Sequence, residues 1–289
     1  MTPAQSMEER LRIAMSGMTR AERQLASYML GNFPVSVLGS VAEVAQAAGV
    51  SGPTVVRLVR KLGYSGYPEF RAQLHAEMGA RLASPVAKHE KWADVTPRDH
   101  SLNRFAASVI ENLNQTLSQQ DLRSFDAIAA MLADKSRPVH MIGGRLTRTV
   151  ADYFATALRV MRADVTLLSS LPNTWPPALL EMSERDVLVV FDIRRYEPSI
   201  QHFAEVARAQ GVEIVLLTDR WVSPSAGVAQ HILTSHIEVP SAWDTLVPMI
   251  ALVEALLSAI QDRNWHATRA RLTRMENFYE DMLLFKRLR

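Results

Sequence analysis

The chain has 289 residues, no cysteine and a formal charge of only +2, from 32 basic against 30 acidic side chains. That length, with nearly half the residues hydrophobic, calls for one large or two ordinary domains with real cores. It excludes a disulfide framework, thiolate catalysis, cysteine-ligated zinc, and nucleic-acid binding through bulk charge rather than a local patch.

The opening MTPAQSMEERLRIAM is polar and charged, unlike a secretory leader. The longest apolar run, Leu246 to Leu257, is too short to span a bilayer and is broken by Glu254. Residues 1–80 read as all helix. Ser6 with Glu9, Thr19 with Glu22 and Ser40 with Glu43 each have capping-box spacing before a helical stretch. Leu25, Tyr28 and Met29 give the second stretch an apolar face, and Asn32, Pro34 and Gly39 mark a loop.

VAEVAQAAGVSGPTVVRLVR, residues 41–60, reads as two helices joined by a tight turn. Ala45 is small enough for close packing, and Gly49 stands where positive φ is needed. Ser51 is placed to cap the second helix, with Pro53 in its first turn. Val55, Leu58, Val59 and Leu62 share one face, while Pro53, Arg57 and Arg60 lie opposite, flanked by Thr54, Val56 and Lys61. An apolar face backed by a cationic one suits a helix pushed into a DNA major groove, and an ordinary hairpin with solvated arginines is the plainer alternative. Gly63 and Gly66 close this helix, and Pro68 opens another running through Phe70 and Leu74, about five helices in all.

From about Gly79 to Ser101 no period is sustained, which predicts a linker over 81–100. His89 and His100 fall here without metal-ligand spacing, and no metal or cofactor is expected. Two amphipathic helices follow, near 101–119 and 121–134, the first with an apolar stripe of Phe105, Val109, Leu113 and Leu117. VHMIGG, DVTLLS, DVLVVFD, VEIVLLTD and HILTSHI are then short apolar runs separated mostly by helical patterns. They predict a five-stranded parallel sheet covered on both faces, a flavodoxin-like three-layer sandwich over 101–289. Ligands of such sheets bind beyond the carboxyl ends of the strands. Arg263 to Arg289 predicts one more helix, with Leu272, Met275, Tyr279 and Met282 as a packing or dimer stripe.

TRAERQLASYMLGNFPVSVLGSVAEVAQAAGVSGPTVVRLVRKLGYSGYPEFRAQL closely resembles the helix-turn-helix domain of the RpiR/MurR family of bacterial transcriptional regulators. The second half is similar to the sugar isomerase (SIS) domain that follows it in that family, in a strand ending in GG, in DVLVVFD and in AQGVEIVLLTDRWVSP. The resemblance implies a cytoplasmic, non-enzymatic regulator that binds operator DNA, associates through its SIS domain as a dimer or tetramer, and senses a phosphosugar or related metabolite. On the DNA side, Arg57 and Arg60 are expected at base edges or phosphates, Val56 at a thymine methyl, and Ser51, Pro53 and Thr54 at the helix start, with Ser51 and Thr54 near phosphate. Lys61 is expected on the DNA backbone.

The departures fall at the expected effector pocket. The loop after the first strand is Gly143-Gly144-Arg145-Leu146-Thr147, with Thr147 placed to cap the next helix and offer its N-terminus to an anion. After the third strand, where the family normally has a hydroxyl-rich loop, Asp192-Ile193-Arg194-Arg195-Tyr196-Glu197-Pro198-Ser199 keeps only the Ser199 hydroxyl at the helix start. Arg145, Arg194 and Arg195 are expected to converge on a small anion, a sugar phosphate or a carboxylate. The competing expectation is that Asp192 and Glu197 neutralise these arginines in a structural cluster. Two other functions stay open: a SIS domain kept only for oligomerisation, and an aldose–ketose isomerase using His236, Glu238 or Glu181 as acid and base.

Overall fold

In a computed structural model that describes residues 7–31, 35–37, 39–82, 84–86, 88–89 and 100–284, the chain divides into two units, Met1–Ala87 and Lys88–Arg289. The described part of the first unit has five α-helices: α1 (Met7–Ala14), α2 (Arg20–Gly31), α3 (Val41–Ala48), α4 (Gly52–Lys61) and α5 (Tyr67–Leu82). Local chemistry sets their ends. Thr19 N donates to Glu22 Oε2 at 2.9 Å and Glu22 N to Thr19 Oγ1 at 3.4 Å, closing the capping box of α2. Ser40 and Glu43 do the same for α3, at 2.7 and 3.3 Å. The capping expectation at Ser6 and the loop residues Asn32 and Pro34 lie outside the described residues. Gly49 takes φ +66°, and Val50 N reaches back to Ala45 O at 2.9 Å, the bond that ends α3 and turns the chain into α4. Gly63, at φ +92°, ends α4 in the same way, with Tyr64 N on Val59 O. Val55, Leu58 and Val59 of α4 are sealed into one core with Leu25, Met29, Val44, Phe70 and Leu74.

The second unit is a three-layer sandwich. Its parallel sheet comprises β1 (Val139–Gly143), β2 (Val165–Leu167), β3 (Val187–Asp192), β4 (Glu213–Asp219) and β5 (His231–Ser235), in the order β2-β1-β3-β4-β5. This is the expected flavodoxin-like order, whose direction reverses between β1 and β3. Because β3 is buried along its whole length, its sequence is continuously apolar until Asp192. Leu188 and Val190 of β3 pack with Ile200, Phe203 and Ala207 of the helix α10 (Pro198–Ala209), and Phe203 meets Trp175 edge-on at 5.2 Å. Phe191 meets Phe154, of the helix α8 (Arg148–Met161), at 6.3 Å. The remaining helices are α6 (Ser101–Ser118), α7 (Leu122–Ala133), the short α9 (Pro176–Glu181), α11 (Val247–Arg263) and α12 (Trp265–Asp281). Among the described residues no helix is long and apolar enough to cross a membrane.

One expectation is corrected here, and two further placements stand beside it. The apolar stripe of α6 is not its buried side: Phe105 and Leu117 are exposed, and the residues sealed against the sheet are Asn112 and Thr116. Asn112 donates to Glu238 O, and Thr116 Oγ1 accepts from His236 N, so α6 is docked by polar bonds to the chain after β5. On α12 the stripe of Leu272, Met275 and Tyr279 is only half-buried and Met282 is exposed. Lys88, inside the expected linker, is buried in the second unit, its Nζ 2.6 Å from Asp244 Oδ1.

Candidate functional site

The first candidate site is the outer face of α4. Thr54, Leu58 and Leu62 follow at four-residue steps and all turn inward, which leaves Ser51, Pro53, Arg57, Arg60 and Lys61 exposed and Val56 half-buried. Thr54 is thereby removed from the expected contact set: it is 4% exposed, and its hydroxyl lies 2.9 Å from Ser51 Oγ and accepts from Arg57 Nη2 at 3.3 Å. Ser51 stands at the N-cap with extended backbone, yet its hydroxyl makes no capping bond, being turned onto Thr54. Arg60 Nε lies 3.3 Å from Ser65 O, a surface bond that water or a phosphate readily replaces. Lys61 is different. Its Nζ donates to Gly17 O at 2.5 Å and pairs with Glu22 Oε2 at 3.2 Å, tying the end of α4 to the start of α2.

The second site is the carboxyl edge of the sheet, where β1 and β3 diverge. Gly143 is required by close approach, since a Cβ there would stand 2.7 Å from Arg148 N at the start of α8. Thr147 does not cap α8: its buried hydroxyl donates to Phe191 O at 2.7 Å, stitching the helix start to β3. Arg145 is exposed and its backbone N–H donates to Glu197 Oε1 at 2.7 Å.

Beyond β3 the expected convergence of arginines is not found. The Arg194 side chain is 2% exposed and committed to acids. Its Nε donates to Asp244 Oδ2 at 2.9 Å, its Nη2 to Asp244 Oδ1, and its Nη1 lies 3.6 Å from Glu238 Oε1. Neutralisation of the three arginines by Asp192 and Glu197 is not what forms either: Arg194 alone of the three enters a buried ion-pair cluster, with Asp244 and Glu238 as its acids. Arg194 and Arg220 each lie 4.6 Å from the centre of the Trp221 ring, and Arg220 pairs with Glu238 Oε2 at 3.0 Å. Arg195 points away from this network: it is exposed and holds φ +64°, a left-handed backbone that costs a non-glycine residue roughly 1–2 kcal/mol. Tyr196 donates its hydroxyl to Asp219 Oδ1 at 2.8 Å, turning into the cluster instead of toward a ligand. Ser199 lies half-buried in the first turn of α10.

Two carboxylates sit beneath these loops. Asp192, buried at the end of β3, accepts from Ser223 Oγ and, at 3.4 Å, from Glu197 N. Burial pushes its carboxyl up to about 7 although the Ser223 bond opposes the rise. Asp219, fully buried at the end of β4, accepts from Tyr196 Oη, Arg194 N and Trp221 N, and burial pushes it up to about 6 against those bonds. Neither residue was a candidate as an acid in its own right; Asp219 had no signal beyond its place at a strand's carboxyl end. His236, buried with Nε2 3.0 Å from Gln119 Oε1, is pulled down to about 4 by burial, with Arg220 adding to the fall. Glu238 is held between Arg194 and Arg220, and Glu181 is exposed at the end of α9.

A helix-turn-helix unit that buries its apolar face and offers arginines outward, followed by a doubly wound sheet with a polar carboxyl edge, defines a two-domain transcriptional regulator. Residues 5–81 match the helix-turn-helix domain of the rpiR family and residues 131–259 match the SIS domain. The chain belongs to the rpiR family of helix-turn-helix regulators that carry a SIS domain. The HTH-type transcriptional regulator HexR of Pseudomonas aeruginosa is 27% identical over 86% of this chain and 84% of its own length. The sugar isomerase domain of an RpiR transcription factor from Sphaerobacter thermophilus superposes with a TM-score of 0.57 at 26% identity, over 61% of this chain and 98% of that one. The NanR protein of Vibrio vulnificus, solved in complex with ManNAc-6P, gives a TM-score of 0.56 at 19% identity, over 96% of this chain and 99% of its own.

Proposed function

We propose that this regulator binds operator DNA through the outer face of α4 and that its SIS domain adjusts that binding in response to a small anionic metabolite. The observation that carries the DNA reading is the division of α4 into Val55, Leu58 and Val59, fully buried, and Pro53, Arg57 and Arg60, exposed on the other side. The contact set is Ser51, Pro53, Val56, Arg57 and Arg60, with the arginines at base edges or phosphates. Lys61 serves the first unit's own packing before it serves DNA. The chain acts as a homodimer or homotetramer joined through the SIS domain. An effector that prefers one arrangement of that oligomer changes operator affinity, and the operator changes effector affinity by the same factor.

The test is a fluorescence-anisotropy series on duplexes selected from a random pool by the wild-type chain. Arg57→Ala is expected to cut discrimination between selected and scrambled duplexes by about 10-fold or more, the 1–3 kcal/mol of a base-edge contact. Lys61→Ala is expected to leave discrimination intact and to flatten the salt dependence by less than one charge, because its ammonium already holds Glu22. Unchanged discrimination in Arg57→Ala and Arg60→Ala together would remove α4 from the interface.

For the effector, the proposed contacts are the exposed Arg145 and Arg195, with the partly buried Gly143 and Ser199 and the buried Gly144 beside them in the two loops. NanR, with ManNAc-6P bound, gives the SIS reading a precedent in the same fold. The internal commitment of Arg194, Tyr196 and Thr147 favours a second reading, a SIS domain kept for oligomerisation alone. Thermal unfolding with a panel of anionic metabolites separates the two, since a ligand of the native state raises the midpoint and an oligomerisation module shows no rise.

A further inference from the structure

The loop between β1 and α8 offers an anion a seat of two glycines and the backbone N–H of Arg145, ahead of a fourteen-residue helix whose first N–H groups, Arg148 to Ala151, donate to Gly144 O, Leu146 O and Thr147 O. A carboxylate from the chain itself already lies in it. Glu197 Oε1 accepts from Arg145 N at 2.7 Å, and a Cβ added at Gly144 would stand 2.7 Å from the same oxygen. The side chain reaches this place across the β1–β3 divide, 52 residues along the chain from Arg145. Its own backbone is steered by Asp192, whose Oδ1 accepts from Glu197 N. Glu197 occupies the N-cap position of α10 but makes no side-chain capping bond there, so its carboxylate is not spent on its own helix. The one hydroxyl of the β1 loop, Thr147, is turned inward onto Phe191 O, and Glu197 is the acid on the Arg145 amide.

We infer that Glu197 is an internal anion that fills the β1–α8 seat, so that an external phosphate or carboxylate binds there only by displacing it. The inference rests on the reading of these loops as the effector site. It makes Glu197 a specificity residue: a weakly binding anion fails to displace the tethered carboxylate, whereas one with further contacts to Arg145 or Arg195 succeeds. Displacement also frees the loop between β3 and α10, so that occupancy of the seat is linked to the position of that segment.

The experiment titrates inorganic phosphate into the full-length wild-type chain, Glu197→Gln and Glu197→Ala by calorimetry, with ionic strength held constant by chloride. Glu197→Gln keeps the length and removes the charge, while Glu197→Ala empties the seat without uncapping α10. Unfolding midpoints without phosphate verify that both variants are folded. The expected result is a phosphate dissociation constant at least tenfold lower in Glu197→Ala than in the wild type, with Glu197→Gln also tighter than the wild type. Equal constants in all three proteins, or no binding by any of them, would overturn the inference. Operator affinity measured with and without phosphate keeps the two readings apart. Tighter phosphate binding by the variants with no effect on DNA sustains the plug and counts against effector control, whereas equal binding removes the plug however DNA binding responds.

Discussion

Arg194→Ala should lower the unfolding free energy of the second unit by about 3–5 kcal/mol, the usual cost of removing one partner from a buried ion pair. The side chain is almost wholly buried, and its loss strips Asp244 of a two-pronged partner and Glu238 of one of its two arginines. The ring of Trp221 also loses a guanidinium stacked on it. Lys88 and Arg220 remain with the two acids, which places the expected value toward the lower end of the range. All five tryptophans of the chain lie beyond residue 90, so urea unfolding followed by tryptophan fluorescence reports this unit and not the helix-turn-helix unit. An arginine placed for an effector would behave differently, since its removal would leave the urea midpoint unchanged and abolish only the response to ligand. An unaltered midpoint would therefore contradict the buried-cluster assignment.

The second large effect concerns Asp192. Its folded value of about 7 and that of Asp219, about 6, both lie above the ordinary carboxylate value near 4. The folded state therefore binds protons more tightly than the unfolded chain. This contribution to stability is complete below pH ~4 and is lost as the pH rises through 6 and then 7. For Asp192 the loss reaches up to about 4 kcal/mol, three pKa units at 1.36 kcal/mol each. Asp192→Asn removes the titration while leaving an amide that donates to Ser223 Oγ. Between pH 5 and pH 8 the wild type should lose stability to urea, and the variant should lose a few kcal/mol less. Parallel pH profiles for the two proteins would show that Asp192 is ionised in the fold across that range.

The cluster explains why an arginine-rich loop in the sequence is not an arginine-lined pocket. Asp192-Ile193-Arg194-Arg195-Tyr196 follows a strand that is buried along its whole length, and residues just past its end remain within the protein. Arg194 turns inward to acids about 45–50 residues further on, Arg195 is forced outward with a left-handed backbone, and Tyr196 turns back to Asp219. Three neighbours thus meet three environments, a distinction that residue type alone does not carry.

The features that depend on neighbours within a few residues were determined by the sequence alone. The capping boxes at Thr19 and Ser40 need a hydroxyl and a carboxylate three residues apart, and the turn at Gly49 needs a residue free to adopt positive φ. The buried face of α4 needs the three-to-four spacing of Val55, Leu58, Val59 and Leu62, and the five apolar runs separated by helices admit a doubly wound parallel sheet. Where the sequence misled, the partner was distant. Thr147 was taken by a carbonyl of β3, and Lys88 by Asp244. Glu197 reached a loop 52 residues away. Periodicity specifies which way a side chain faces relative to its own element; which charge it then meets is set by strand order and register, and those exist only once the sheet has closed.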